Sequence, residues 1–207
     1  MPADKIYMPE DHMEELYNSK NFLVRFVHRQ RLAAIVKNMP AGGGWKILDA
    51  GCGEGHLLEK MGHKNSYNHY YGLDLTTIAL DKARQRCPGA QFKAGQIKQM
   101  DWEDNFFDFI SCTETLEHIK EYPASLQELK RVLKPGGKLL ITFPNEFWWT
   151  VARLVLGRRP IKVVDHFNAF SPGRMTDYVR LKNVSQMGLP FHLPFLISLG
   201  YLMVFKK

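Results

Sequence analysis

Glu114-Thr115-Leu116-Glu117-His118 brings two carboxylates and an imidazole together, and far downstream Asp165-His166 sets a second imidazole beside an acid. On a helical turn, Glu114, Glu117 and His118 fall at i, i+3 and i+4 and share one face, from which they could converge on a cation with His166. A mixed oxygen and nitrogen set suits Mg²⁺, Mn²⁺ or Zn²⁺ and does not choose among them. A purely structural reading competes: His118 caps a helix and Glu117 pairs with a base. Without a metal, His118 or His166 is a candidate general base, since an unperturbed imidazole titrates near neutrality.

A second run with chemical content is Ile47-Leu48-Asp49-Ala50-Gly51-Cys52-Gly53-Glu54-Gly55. Glycines at alternate positions let a backbone pass close to a ligand at the carboxyl edge of a sheet, although dehydrogenases and plain structural turns use such spacing too. Asp49 stands directly before the turn, where it would repel a pyrophosphate and attract an ammonium. Asp74 ends the next apolar run, the place of a carboxylate that accepts both ribose hydroxyls of an adenosine. Cys52 needs no chemical role: a small residue inside the turn explains it, and nothing nearby predicts a reactive thiol.

The elements that must position these residues alternate. Residues 21–38 read as an imperfect amphipathic helix ended by Met39-Pro40 and glycines 42 to 44, and residues 45–49 as a short strand. Helix 54–61, strand 70–75, helix 77–86, strand 90–94, strand 106–113, helix 125–133, a turn at Pro135-Gly136-Gly137 and strand 138–143 follow. This is βαβ spacing, which implies a parallel sheet with helices on both faces. After Asn145 an aromatic and basic segment, 147–177, reads as an insertion or cap. Residues 184–187 and 201–206 supply two further strands, the last antiparallel. The expected organisation is one domain, residues 1–207: an N-terminal helical segment 1–40, a cofactor-binding core 45–145, a substrate cap 146–180 and C-terminal strands 181–207.

ILDAGCGEG, YYGLDLT, FDFISCTETLEHI and LKPGGKLLITFPN, in that order, resemble the motifs of class I S-adenosylmethionine-dependent methyltransferases, in the broad group that includes the ubiquinone- and menaquinone-pathway enzymes. The resemblance covers residues 46–145. It implies a doubly wound, Rossmann-like α/β fold whose seven-stranded, mostly parallel sheet has one reversed strand, and methyl transfer from a sulfonium to an acceptor. Carried over residue by residue, Asp49, Gly51 and Gly53, with Cys52 between them, line the methionine end, and Asp74 with Leu75 holds ribose and adenine. Gln96 and Ile97 stand where the family has an acidic and a small residue near the adenine amine; a glutamine carbonyl can still accept from that amine. Thr113 faces the cofactor through its backbone. The ExxEH run with a later His is similar to the metal set of the enzymes that methylate the 3′-terminal ribose of small RNAs, and its first part resembles ubiquinone-pathway O-methyltransferases. In those families a divalent ion orients the acceptor hydroxyl and lowers its pKa. The small-RNA enzymes carry a second His after the first, where this chain has Ile119.

The acceptor side is less legible. Glu146-Phe147-Trp148-Trp149, with Arg153, Arg158 and Arg159, fits either a pocket for an aromatic, lipid-like or anionic acceptor or a packed helix with a basic outer side. Tyr7, Met8 and Tyr17 could close over the cofactor, and residues 189–199 could add an apolar wall. Composition adds limits: 207 residues suffice for one domain, 45% of them are apolar, and 28 Lys and Arg against 21 Asp and Glu give a net charge of +7. The bases are dispersed, so a small-molecule acceptor is favoured over nucleic acid. Three cysteines without CxxC spacing point to a reducing, cytoplasmic setting, and the N-terminus has no signal-peptide pattern. Residues 187–205 lack charge, but their prolines and glycines argue against a membrane span and leave only peripheral contact open. The alternatives are an RNA 2′-O-methyltransferase, a non-catalytic S-adenosylmethionine-binding protein and a nicotinamide oxidoreductase, the last disfavoured by Asp49.

Overall fold

Strands covered by helices on both faces must be apolar on both, and β1 (Lys46–Ala50) has Ile47 and Leu48 fully buried on opposite sides. The computed structural model describes residues 19–157 and 165–207; the expectations placed on Tyr7, Met8, Tyr17, Arg158 and Arg159 fall outside them. In chain order the helices are α1 (Phe22–Lys37), α2 (His56–Lys64), α3 (Thr77–Arg86), α4 (Tyr122–Val132), α5 (Glu146–Val155) and α6 (Pro172–Val179). The remaining strands are β2 (His69–Asp74), β3 (Gln91–Ala94), β4 (Phe107–Thr113), β5 (Leu133–Pro144), β6 (Lys182–Leu189) and β7 (Gly200–Lys206). They form one seven-stranded sheet of order β3-β2-β1-β4-β5-β7-β6. β1 to β5 are parallel and β7 runs antiparallel to both β5 and β6, so the sheet has one reversed strand.

The pleat sorts the core into two layers. Ile47, Phe109 and Leu140 face α1, α2 and α3, meeting Leu32, Ile35, Leu57, Leu58, Met61 and Leu80. Leu48, Ile110, Leu139 and Ile141 face the opposite way, onto Leu126, Leu129, Met175 and Val179 of α4 and α6. Truncating a fully buried ring such as Phe109 to alanine would cost about 3–5 kcal/mol.

Element edges shift for local reasons. The helix expected from Glu54 begins at His56, because Gly53 and Gly55 remain at φ +49° and +81°. α4 begins at Tyr122, with Pro123 in its first turn, where a missing N–H is harmless. The expected cap divides: α5 is additional, whereas α6 buries Met175 and Val179 and leads directly into β6 as an ordinary crossover helix. Residues 187–205 become the end of β6, a 3-10 turn (Phe195–Ile197) and β7. No helix among the described residues is long and apolar enough to cross a membrane.

The strand order reverses direction between β1 and β4, which opens a crevice at their carboxyl ends. The exits of β1 and β4 carry most of the residues singled out above.

Candidate functional site

The turn after β1 is built by backbone. Gly51 N and Cys52 N both donate to the Leu73 carbonyl at 2.7 and 3.0 Å, lashing the turn to the end of β2. Gly51 sits at φ +82°, and a Cβ there would run into the Thr115 side chain, so this position needs glycine for its dihedral and for its space. Asp74 ends β2 with one oxygen accepting from Gly53 N at 2.8 Å and the other from Thr76 N at 2.9 Å. A carboxylate has about four lone-pair sites, so a fixed Asp74 can still accept two hydroxyls. Leu75 is partly exposed beside it, and Gln96 is exposed at the end of β3.

Asp49 is 1% exposed and takes one hydrogen bond from Ser111 Oγ at 2.7 Å. Burial, with the nearby Asp74 charge adding and Ser111 opposing, pushes its carboxyl up to about 7. An arriving cation would find an acid with no positive partner among the described residues and hold it ionised.

Two residues assigned to this end point elsewhere. The Cys52 side chain is buried in the α1–α3 layer, close enough to Gly72 and the Phe92 ring that a Cβ on Gly72 would not fit. Burial raises its thiol pKa, so it is no nucleophile. Ile97 is a core residue of the other layer, beside Leu73 and Met100. Thr113 ends β4, and its carbonyl accepts from Thr115 Oγ1 at 2.9 Å.

Beyond the exit of β4 three groups of metal-ligating type meet. Glu117, His118 and His166 each offer one atom, all within 4.8 Å of one another. The two imidazoles stand edge to face, 4.7 Å apart. Each ring uses Nδ1 elsewhere: His118 Nδ1 lies 3.1 Å from the Asp165 carbonyl and 3.4 Å from its carboxylate, and His166 Nδ1 lies 2.6 Å from Glu146 Oε1. These partners assign the proton to Nδ1 and leave Nε2 of each ring as the donor atom. Burial, then the His166 charge, lowers the His118 pKa and keeps that ring neutral.

Glu117 is 1% exposed, and neither carboxylate oxygen has a hydrogen-bond partner among the described residues. Burial first, then the Glu114 charge, raises its pKa well above the ordinary carboxylate range. An acid in that condition either keeps its proton or waits for a cation.

Glu114 stands apart from the trio, contrary to the shared helical face expected of it. Helical geometry begins only at Leu116, and Glu114 adopts φ +50°, which turns its side chain away. It accepts instead from Thr142 Oγ1 at 3.0 Å and pairs with Arg31 of α1 at 3.2 Å.

Several partners had no signature in the sequence. The segment after His166 is strapped onto the 3-10 turn: Phe167 N and Asn168 N donate to the Glu117 carbonyl at 2.8 and 3.2 Å, and Asn168 Nδ2 to the Ile119 carbonyl at 2.8 Å. α1 contributes Arg31 and also His28, whose ring meets Trp149 of α5 edge-on at 6.2 Å. Ser111, Arg31 and Asn168 lie 62, 83 and 51 positions from the groups they serve (111 − 49, 114 − 31, 168 − 117), so no local spacing could have indicated them.

Comparison with known proteins identifies the family. A family profile described as "Methyltransferase domain" matches residues 48–141. The chain is 31% identical over 176 residues to the ubiquinone biosynthesis O-methyltransferase of Idiomarina loihiensis, covering 78% of this chain and 72% of that protein. It is 33% identical over 121 residues to the 2-phytyl-1,4-naphtoquinone methyltransferase of Nostoc punctiforme, covering 55% of this chain and 53% of that one, so it spans about half of that relative. Among solved structures, a SAM-dependent methyltransferase from Thermotoga maritima shares the fold with a TM-score of 0.73 at 19% identity, over 96% of this chain and 97% of that one. Alike in sequence to a named O-methyltransferase over most of its length, and built on the same doubly wound sheet as other such enzymes, the chain belongs to the class I S-adenosylmethionine-dependent methyltransferases.

Proposed function

We propose that the protein transfers the methyl group of S-adenosylmethionine to a hydroxyl of a small, largely apolar acceptor, held beside a divalent cation by Glu117, His118 and His166. The observation that carries this is the fully buried Glu117 carboxylate, both oxygens without a hydrogen-bond partner among the described residues, next to two imidazoles whose Nδ1 positions are each engaged by an acid-bearing residue. Buried charge without a partner costs several kcal/mol, so a cation is the economical explanation of the cluster. A relative named as a ubiquinone biosynthesis O-methyltransferase supports a hydroxyl as the methylated group, and a relative named for a phytyl-bearing naphthoquinone supports an acceptor with an apolar portion.

When bound, a divalent cation lowers the pKa of a coordinated hydroxyl and fixes its direction. The chain's own residues do the rest. Asp165 and Glu146 hold the imidazole rings in one tautomer and orientation, worth about 10–100-fold in metal affinity. Asp49 would take the cofactor's ammonium and Asp74 its ribose hydroxyls, which aims the methyl group toward the exit of β4. Positioning of this kind contributes much of the rate in such in-line transfers.

Calorimetric titration with S-adenosylmethionine and S-adenosylhomocysteine, with and without Mg²⁺, Mn²⁺ or Zn²⁺, tests the reading. Asp74→Ala should weaken cofactor binding on the order of 100-fold, since it removes charged hydrogen bonds. Glu117→Gln should abolish the metal-dependent heat and leave cofactor binding intact. Metal heat that survives Glu117→Gln would overturn the cation site, and absence of binding by either nucleoside would overturn the whole assignment. RNA affinity that falls steeply with salt would redirect the acceptor to nucleic acid.

A further inference from the structure

α5 departs from the rest of the fold: apart from Glu146, Thr150 and Arg153 its residues are apolar, yet none of the helix is buried. It is joined to the 3-10 turn at 195–197, which likewise buries none of its residues, and to α1, whose first residues Phe22 and Leu23 are exposed. Trp148 Nε1 donates to the Leu196 carbonyl, and Asn145 Nδ2 donates to the Phe195 carbonyl at 2.6 Å, which docks the 3-10 turn on its start. In the loop before that turn, Phe191 meets Phe26 of α1 at 5.7 Å, and Phe26 meets Phe22 at 6.0 Å. The His28–Trp149 contact closes the circle from α1 back to α5. Around it Phe22, Leu23, Phe147, Phe191, Leu196 and Ile197 are each more than half exposed. Isolated exposed apolar side chains are ordinary, but a connected set of this size marks an interaction surface.

Charge identifies the partner. Besides Arg31, which pairs with Glu114, residues 19–45 contain Lys20, Arg25, Arg29 and Lys37 and no acid, and residues 187–205 contain no charged residue. The one acid of α5, Glu146, is turned to His166. Protruding aromatic and aliphatic side chains among bases fit the boundary of an anionic bilayer, where the apolar groups enter the acyl region and the bases meet lipid phosphates. A second copy fits poorly, because a two-fold interface would lay this basic face against itself.

From this we infer that the start of α1, the loop and turn at 191–197, and α5 form one docking face for an anionic phospholipid bilayer, through which the apolar portion of the acceptor reaches the site. The first half stands on the surface alone, and the second rests on the methyl transfer proposed above. The same helices wall the site, α1 through Arg31 to Glu114 and α5 through Glu146 to His166, so a membrane on this face lies next to its opening.

Flotation of the intact protein with vesicles of phosphatidylcholine alone, and with about one-third phosphatidylglycerol, reads the inference directly. A Phe22→Ser, Phe147→Ser, Leu196→Ser triple variant is compared with Tyr67→Ser, which removes an equally exposed ring before β2, at the amino edge of the sheet. Wild type and Tyr67→Ser should float with the anionic vesicles, less as salt rises, and the triple variant at least about tenfold less. Unchanged calorimetric binding of S-adenosylmethionine by the triple variant establishes that it is folded. If wild type ignores anionic vesicles, or the triple variant floats as well as wild type, the inference fails. It also fails if sedimentation velocity shows a wild-type dimer that the triple variant dissolves, which would make the face an interface between copies. Flotation involves no turnover, so any of these results leaves the cofactor and metal readings to their own titration.

Discussion

The two halves of the crevice are constructed differently. The half proposed above to hold the cofactor is made within residues 46–76 by backbone: two strands in register, a turn lashed to the Leu73 carbonyl, and one carboxylate fixed by two amides. The half proposed to hold the acceptor is made of side chains from α1, the exit of β4, α5 and the segment at 165–168, held together by contacts such as Arg31–Glu114 and Glu146–His166. A site written in local backbone tolerates few substitutions and needs little else. One written in long-range side-chain contacts is easily retuned, because each contact is worth only about 1–3 kcal/mol.

The sharpest break in this contrast is Gly51→Ala. A left-handed alanine costs about 1–2 kcal/mol and overpacking against Thr115 about 1–3 more, so a loss of about 2–5 kcal/mol is expected, visible as a fall in Tm near 10 °C together with loss of cofactor binding. Gly53→Ala, at φ +49° with open space around it, should show only the first part, about 1–2 kcal/mol.

Glu117→Gln should do the reverse of a cofactor-side substitution. The metal-dependent heat is expected to vanish in calorimetry, whereas the metal-free protein melts at the same temperature or higher, because a buried amide carries no charge to desolvate. A lower metal-free Tm would mean that the carboxylate has a structural partner.

The Asp49 carboxyl sharpens the comparison by pH. Raised to about 7, it keeps its proton in the folded, cofactor-free protein, whereas an unfolded chain releases it near pH 4. Its contribution to stability is therefore complete below about pH 4 and is lost as pH rises to 7, about 4 kcal/mol over that window. The cofactor's ammonium favours the ionised form, so affinity should rise about tenfold from pH 5.5 to pH 7. Asp49→Asn should flatten both curves, read by melting and by titration.

The smallest expected effect is that of Asn168→Ala. Loss of its hydrogen bonds to the Leu116 and Ile119 carbonyls costs about 1–2 kcal/mol, and the loosened strap should weaken divalent binding about tenfold while cofactor affinity stays within a factor of two. An equal loss on both sides would mean that the two halves of the crevice are coupled.

The outcome at each end of the crevice follows from sequence distance. Alternating strands and helices, the glycine turn with Asp49 before it and Asp74 at the end of β2 were all legible, because the parallel register of β1 on β2 brings residues 23 apart together. Glu114 shows the limit: its i, i+3, i+4 spacing suggested a ligand, but spacing carries that meaning only on a helix, and a left-handed backbone at Glu114 sends it to Arg31. Cys52 and Ile97 lie in motif positions beyond the ends of β1 and β3, yet their side chains pack into the core. By itself, then, the sequence determined the sheet, its reversed strand and the glycine turn set between Asp49 and Asp74, since hydrophobic period and turn chemistry are local properties of the chain. Tertiary structure alone decided which of the candidate ligands meet, that Asp165 and Glu146 orient the two imidazoles, and that three distant apolar segments share one face. Those arrangements depend on packing between elements far apart in the chain, and no local pattern of residues records it.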